Sequence, residues 1–327
     1  MKKEASKKEI FDNPLVSIFC PAYNAEKFIS NTLKSILQQD YENIEVIVSD
    51  DYSTDETVNI IQEFIKENPG KIKLNVNEKN LGITSNCNIG ISMCRGKYIA
   101  FFAGDDLMYP GKITAQVAAM ELEKDCSMSY HSVDILNGDN NNEILLTTDV
   151  GKQSYTSFLD VIAQGGIIGA CSIMARRDAI PSYGFSNEFP IVSDWLMHIE
   201  IAARGRIVKV DGVFAGYIRH KNGASRKTFE TLSEIQDTLR FIERRYNWAP
   251  EILKVTRKAH KRYMLGEMAR NFIAGDRMRL QIINKNYLHK NTELKVVGVI
   301  LEVLIFIRLH RLSIIKSFYK KVSSLIK

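Results

Sequence analysis

No run of about 18 or more apolar residues occurs in this 327-residue sequence, so a conventional membrane-spanning helix is not expected. Cysteine is scarce. Cys20, Cys87, Cys94, Cys126 and Cys171 are an odd number with no CxxC spacing. Neither a disulfide framework nor a zinc knuckle is therefore expected, and a reducing compartment is favoured. No apolar segment follows the charged opening MKKEASKKE, so no secretory signal is expected either. Seven prolines and 19 glycines give no low-complexity signal. There is no P-loop GxxxxGK(S/T), no GxGxxG and no internal repeat. What is present is ordinary globular composition, 45% hydrophobic and 25% charged, which excludes a mostly disordered or collagen-like chain.

Charge is distributed unevenly. The chain carries a formal +6, but residues 251–327 hold 17 Lys and Arg against 5 Asp and Glu, a net +12. The remaining 250 residues are net −6. An acidic body with a basic tail suggests two units with different partners.

The first half alternates apolar runs with helical stripes. Val16–Cys20 reads as a buried strand, and Ile44–Ser49, Ile72–Val76 and Tyr98–Ala103 read as further strands. Ala25–Gln39, with Phe28, Ile29, Leu33, Ile36 and Leu37 on one face, reads as a helix. Ser53 and Glu56 stand at capping-box spacing before a second helical stripe, and Thr84–Met93 gives a third helix. Cys126–Ile135, Ile207–Val210 and Val213–Ile218 read as strands, and Ser193–Arg204 as a helix. Beyond about Thr228 the pattern is helical and basic. Strands alternating with helices predict an α/β fold with a mainly parallel sheet flanked by helices. Ligands of such sheets bind beyond the carboxyl ends of the strands.

Two aspartate pairs follow strands, Asp50-Asp51 and Asp105-Asp106. Carboxylates gathered on one rim repel one another unless a cation or donor groups relieve them, and oxygen ligands suit magnesium or manganese. Aspartates also cap helices and form turns, which is the simpler reading for Asp50 or Asp55 alone.

Four segments, VSIFCPAYN (16–24), EVIVSDDYSTDET (45–57), NLGITSNCNIG (80–90) and GKYIAFFAGDD (96–106), resemble in order and spacing the inverting family-2 glycosyltransferases with the GT-A fold. The resemblance covers about residues 14–225. It implies a Rossmann-like nucleotide-diphospho-sugar transferase domain, preceded by an extension over 1–13 and followed by a helical region over 226–327. It implies that Pro21, Ala22, Tyr23 and Asp51 hold the nucleotide, with Asp105 near the ribose or a metal water. Asp106 and His220 would hold a manganese or magnesium ion, Arg219, Lys221 or Ser225 would lie near phosphate, and Asp194 in IVSDW would be the general base. The family's Asp-x-Asp is read here as Gly104-Asp105-Asp106, without its first acid. Cys87 stands where many members carry arginine, and reads as a small buried helix residue. The implied donor is a nucleotide-diphosphate sugar, taken as UDP-linked. The implied acceptor is a saccharide or lipid-linked molecule in the synthesis of cell-surface polysaccharide or glycolipid.

Several residues keep two readings. Asp194 or Ser193 can serve simply as a helix cap. Trp195 can stack on a sugar or anchor its helix, and His198 reads as packing. His131 and Asp134 are assigned no chemistry, and Gly165–Gly169 reads as a flexible acceptor-side loop. In the tail, Val296–Ile307 is apolar apart from Glu302 and is followed by Arg308, His310, Arg311, Lys316, Lys320, Lys321 and Lys327. This suits a helix lying on an anionic membrane surface through 296–327, or a helical subdomain packed on the body or on a second copy as a homo-oligomer. Nucleic acid is not an expected partner. The expected location is cytoplasmic, with peripheral attachment to the inner face of the cell membrane. The rival function is a catalytically silent GT-A domain serving as a membrane-bound assembly partner.

Overall fold

The computed structural model describes residues 13–139, 143–148, 154–167, 169–221, 229–286 and 292–306. The chain divides into two compact units, Met1–Val161 with Gly165–Arg226, and Ile162–Gln164 with Lys227–Lys327.

The first unit runs β1 (Val16–Ala22), α1 (Ile29–Leu37), β2 (Ile44–Asp50), α2 (Thr57–Glu67), β3 (Ile72–Val76), α3 (Ile83–Met93), β4 (Tyr98–Phe101) and β5 (Leu107–Met108). It continues with α4 (Lys112–Leu122), β6 (Cys126–Asn137), β7 (Glu143–Thr147), α5 (Phe158–Gln164, which straddles the division), β8 (Met174–Arg176), α6 (Ser193–Ala202) and β9 (Arg206–Arg219). The strands form one sheet in the order β3-β2-β1-β4-β8-β6-β9-β5, with β7 on β6. β3, β2, β1 and β4 are parallel, whereas β8 runs antiparallel to both β4 and β6. The four parallel strands therefore end on one rim, as alternating strands and helices predict.

Continuous apolar runs are needed because both sheet faces are covered. Ile18, Val46, Val48, Tyr98 and Ala100 pack in one core with Ile29, Leu33 and Ile36 of α1 and Ile61 and Phe64 of α2.

Two predicted helix starts move. The α1 stripe was expected from Ala25, but the helix begins at Ile29. The amides of Asn24, Ala25 and Glu26 instead donate to Ser53 Oγ (2.8 Å), Thr57 Oγ1 (2.7 Å) and Asp55 Oδ2 (3.1 Å). The Ser53–Glu56 capping box does not form, because the Ser53 hydroxyl donates to Asp50. Asp55 Oδ1 instead accepts from the Thr57 amide and hydroxyl. Likewise, 207–210 and 213–218 are one strand, with Gly212 at φ 127 inside it and register shifts against β6 that absorb the irregularity.

One buried charge stands out. Lys112, at the start of α4, is fully buried, and its ammonium donates to Gln116 Oε1 at 2.5 Å. Burial lowers its pKa from 10.5 to about 7, with the Cys171 thiol opposing weakly. Lys112 in turn adds to the depression of buried His131 to about 3. Between pH 7 and 10.5 the unfolded chain holds a proton here that the folded chain releases, so stability rises with pH across that window. Lys112→Met removes the effect. Urea denaturation from pH 7 to 10 should show wild type gaining on the mutant by on the order of 3 kcal/mol. Parallel curves would refute the assignment. The lost partner of Gln116 enters equally at every pH.

The second unit contains α7 (Phe229–Arg245), α8 (Ile252–Ala274), α9 (Arg277–Asn286) and α10 (Thr292–Phe306). Leu232, Met264, Met268, Phe272, Leu280 and Ile283 form its core, and Leu301 packs against them. Glu302, the acid inside the apolar stretch, accepts from Asn284 of α9. Val296, Val299, Ile300 and Val303 are exposed on α10. No helix among the described residues is long and apolar enough to cross a membrane. The basic residues from Arg308 to Lys327, and the extension up to Phe11 and Asp12, lie outside the described residues.

Candidate active site

The end of β1 organises the rim. Ala22 pairs with Asp50 in register, and its carbonyl accepts the Asp51 amide at 2.9 Å. On the other side, the Pro21 carbonyl accepts the Gly104 amide at 3.0 Å. Pro21 and Ala22 thus hold the two aspartate loops on either side of one strand end. A Cβ on Gly104 would stand 3.2 Å from both Pro21 O and Ile29 Cδ1, so the closeness of this approach favours glycine. Thr32 of α1 adds a bracket that no local sequence signal announces. Its hydroxyl lies within hydrogen-bonding distance of the carbonyls of Gly104 (3.1 Å) and Asp106 (2.8 Å), more than 70 residues away.

The second aspartate pair splits in two. Asp106 is 1% exposed, and its Oδ1 accepts the Ile218 amide at 3.0 Å. Burial, then the neighbouring Asp105, push its carboxyl well above the ordinary range, against hydrogen bonds from Ile218 and Cys171. Asp105 is the accessible member. Its Oδ2 lies 2.9 Å from His220 Nε2, and its side chain is 30% exposed. Asp106, expected with His220 as a metal ligand, is the buried member, and Asp105 is the one within hydrogen-bonding distance of His220. The Asp106–Ile218 bond fastens the end of β9 to this turn, and two residues later the chain delivers His220 to Asp105. The Phe28 ring lies against the His220 imidazole, with centroids 4.7 Å apart. Arg219 is exposed over the Tyr217 ring, and Lys221 is exposed. Ser225 and the Asn222-Gly223 turn lie outside the described residues.

The donor set can be judged by its chemistry. The Asp105 carboxylate is an oxygen ligand of the kind that suits manganese or magnesium, the His220 imidazole would add one nitrogen, and the two leave most coordination positions to other ligands. Among the described residues no group of three or more His, Cys, Asp or Glu side chains could hold a metal ion.

Asp51 is 3% exposed and held by three donors. Oδ1 accepts from Asn77 Nδ2 (3.0 Å) and the Leu81 amide (2.8 Å), and Oδ2 accepts from the Gly82 amide (2.9 Å). Gly82 has φ 84, a conformation that favours glycine, and directs this amide just ahead of α3. Oδ2 retains acceptor capacity. Tyr23, next along from Ala22, is 52% exposed.

The triplet Asn86-Cys87-Asn88 on α3 is structural. Asn86 clasps Ser49 Oγ and O, and Asn88 exchanges two hydrogen bonds with Phe185. Cys87 is 6% exposed, as expected of a small helix residue. Its thiol pKa is pushed up to about 12 by burial, then by Asp194, then by Asp51. Thr84 of α3 approaches Ser193 (3.4 Å) and Pro190 (3.3 Å), which seats the start of α6 beside the start of α3. Asp194 sits exposed in the first turn of α6. Trp195, for which stacking and anchoring were both open, is 4% exposed and donates its indole N–H to Val161 O at 2.9 Å, so it anchors. His198 is buried, as expected of a packing residue, and burial lowers its pKa.

The sequence matches the family described as Glycosyl transferase family 2 over residues 17–180. A curated relative, the UDP-Glc:alpha-D-GlcNAc-diphosphoundecaprenol beta-1,3-glucosyltransferase WfgD of Escherichia coli, is 29% identical over 70% of this chain and 86% of its own length. Two solved structures are similar in fold. TarS 1–349 of S. aureus in complex with UDP-GlcNAc gives a TM-score of 0.56 at 17% identity, covering 89% of this chain and 81% of that one. The mannosyltransferase PcManGT of Pyrobaculum calidifontis, in complex with GDP-Man and Mn2+, gives 0.54 at 16% identity, covering 90% and 85%.

Proposed function

We propose, since the chain belongs to glycosyl transferase family 2 and has the GT-A fold, that it transfers a sugar from a UDP-linked donor to a saccharide or lipid-linked acceptor with inversion at the anomeric carbon. The observation that carries the reading is the meeting of Asp105 with His220, on the rim that also presents Asp51. Asp105 and His220 would hold a manganese or magnesium ion. When bound, the ion supplies positive charge against the donor diphosphate. The Mn2+ and nucleotide-sugar complexes of the two fold neighbours support such a site, and the lipid-linked substrate in the WfgD name supports the acceptor class.

The chain's own groups then divide the work. Asp51 accepts a ring N–H from the base, and Tyr23 offers it a face. Asp194 takes the proton of the acceptor hydroxyl as that oxygen bonds to the anomeric carbon. The bond from that carbon to the diphosphate oxygen breaks, and the nucleoside diphosphate leaves with the electron pair. Attack from the face opposite the leaving group inverts the centre. Asp106 positions the turn rather than touching substrate, because its carboxylate is buried and spent on Ile218 and Cys171.

Domain boundaries near 14 and 225, with 226–327 as an accessory helical region, are part of this reading. The exposed α10 valines and the basic sequence that follows support attachment of that region to an anionic membrane surface.

A thermal-shift screen tests the reading. UDP-sugars should raise Tm only with Mn2+ or Mg2+ present, by an amount that grows with ligand concentration. No shift with any UDP- or GDP-sugar, with or without ion, would favour the catalytically silent domain instead.

A further inference from the structure

Among the described residues, two non-glycine residues have positive φ, Asn24 (φ 47) and Tyr52 (φ 64). Each lies two residues beyond the paired strand ends Ala22 and Asp50. The two loops are bonded together. The Asn24 amide donates to Ser53 Oγ at 2.8 Å, and the Thr54 amide donates to Asn24 Oδ1 at 2.9 Å. Asparagine tolerates this conformation because its short side chain bonds locally, as Asn24 does. For a bulky tyrosine it is an outlier with a steric penalty.

The strain at Tyr52 is not offset by packing. The side chain is 50% exposed, and among the described residues neither its ring nor its hydroxyl has a protein partner. The same holds for Tyr23, 52% exposed on the neighbouring loop. Two unpartnered aromatic rings thus stand on cross-bonded loop tips. Between them in the chain geometry lies Asp51, which adjoins Tyr52 and bonds the strand end that precedes Tyr23. Its Oδ2 keeps room for one more donor.

We infer that Tyr52 is a nucleobase-contacting residue, held in its strained conformation so that its ring, with that of Tyr23, covers a base whose ring N–H reaches Asp51. The inference rests on the nucleotide-sugar reading above and deepens it. Uracil and guanine carry such a ring N–H, whereas cytosine and adenine do not offer one on the same edge. The site therefore takes UDP or GDP ahead of CDP or ADP.

The test uses the full chain and the nucleoside diphosphates themselves, titrated calorimetrically with Mn2+. Tyr52→Gly removes the ring and the strain together. It should weaken UDP or GDP binding by about tenfold, the usual effect of losing one stacking ring. Its Tm without ligand should be unchanged or higher, because glycine suits the conformation. Tyr52→Phe should bind within about twofold of wild type. A residue that merely supported the loop would instead lose stability and affinity together. Wild-type affinity in Tyr52→Gly would overturn the inference and leave the transferase reading standing. Failure of wild type to bind any nucleoside diphosphate would overturn both.

Discussion

Asp105→Asn is expected to cut sugar transfer by about 10²–10³-fold, the scale on which an electrostatic contact to a developing oxyanion is lost. Asparagine keeps the shape and one acceptor oxygen but removes the charge that a cation needs beside His220. The adjacent Asp106→Asn should behave differently. Its Oδ1 can still accept the Ile218 amide, so the turn and the delivery of His220 survive. The measurement is initial rate against Mn2+ concentration for both variants. Asp105→Asn should need far more ion for half-maximal rate, whereas Asp106→Asn should keep the wild-type requirement and lose at most some stability. The reverse pattern would return the metal to Asp106 and remove the basis for pairing Asp105 with His220.

That contrast marks where sequence reading stops. Val16–Ala22 and Ile44–Asp50 were legible because strands covered on both faces are largely apolar, and such runs stand out between turn residues, whereas Ile72–Val76 at the sheet edge alternates apolar and polar residues. β8 was not, because three residues, Met174–Arg176, carry no periodicity, and their place between β4 and β6 depends on pairing with distant segments. The same limit applies to the site. Asp105 and Asp106 are one residue type in adjacent positions. Bonds from distant residues, that of Ile218, 112 residues away, among them, accompany the inward turn of Asp106. Reading the motif as Ala103-Gly104-Asp105 would have pointed to Asp105, since the accessible acid is then the last of the triplet. Trp195 was equally ambiguous until Val161 O supplied a partner for its indole. Tyr52 was invisible as a site residue because its signal is a backbone angle, not a composition. Asp194 entered as a base only through the family resemblance; the residue pattern by itself offered it as a helix cap, since an acid in the first helical turn suits the helix dipole.

Asp194→Asn is the other substitution with a large expected effect. A general base of this kind contributes about 10²–10⁴-fold, and asparagine cannot take the acceptor proton. The fold should tolerate the change. α6 begins at Ser193 without a side-chain cap, so Asp194 is not the group that closes the helix end. Among the described residues its Oδ1 accepts its neighbour's amide, that of Trp195 at 2.7 Å, which asparagine also permits. Loss of a charge from the first turn weakens the helix by about 0.5 kcal/mol, visible as a small drop in Tm and no more. Donor binding should be nearly unaffected, because Asp51, Asp105 and His220 are untouched. The predicted signature is therefore a fall in kcat with nucleotide affinity and fold retained. Turnover in Asp194→Asn within a few-fold of wild type would assign the base to another group. A matching loss of nucleotide affinity would mean that Asp194 acts on the donor.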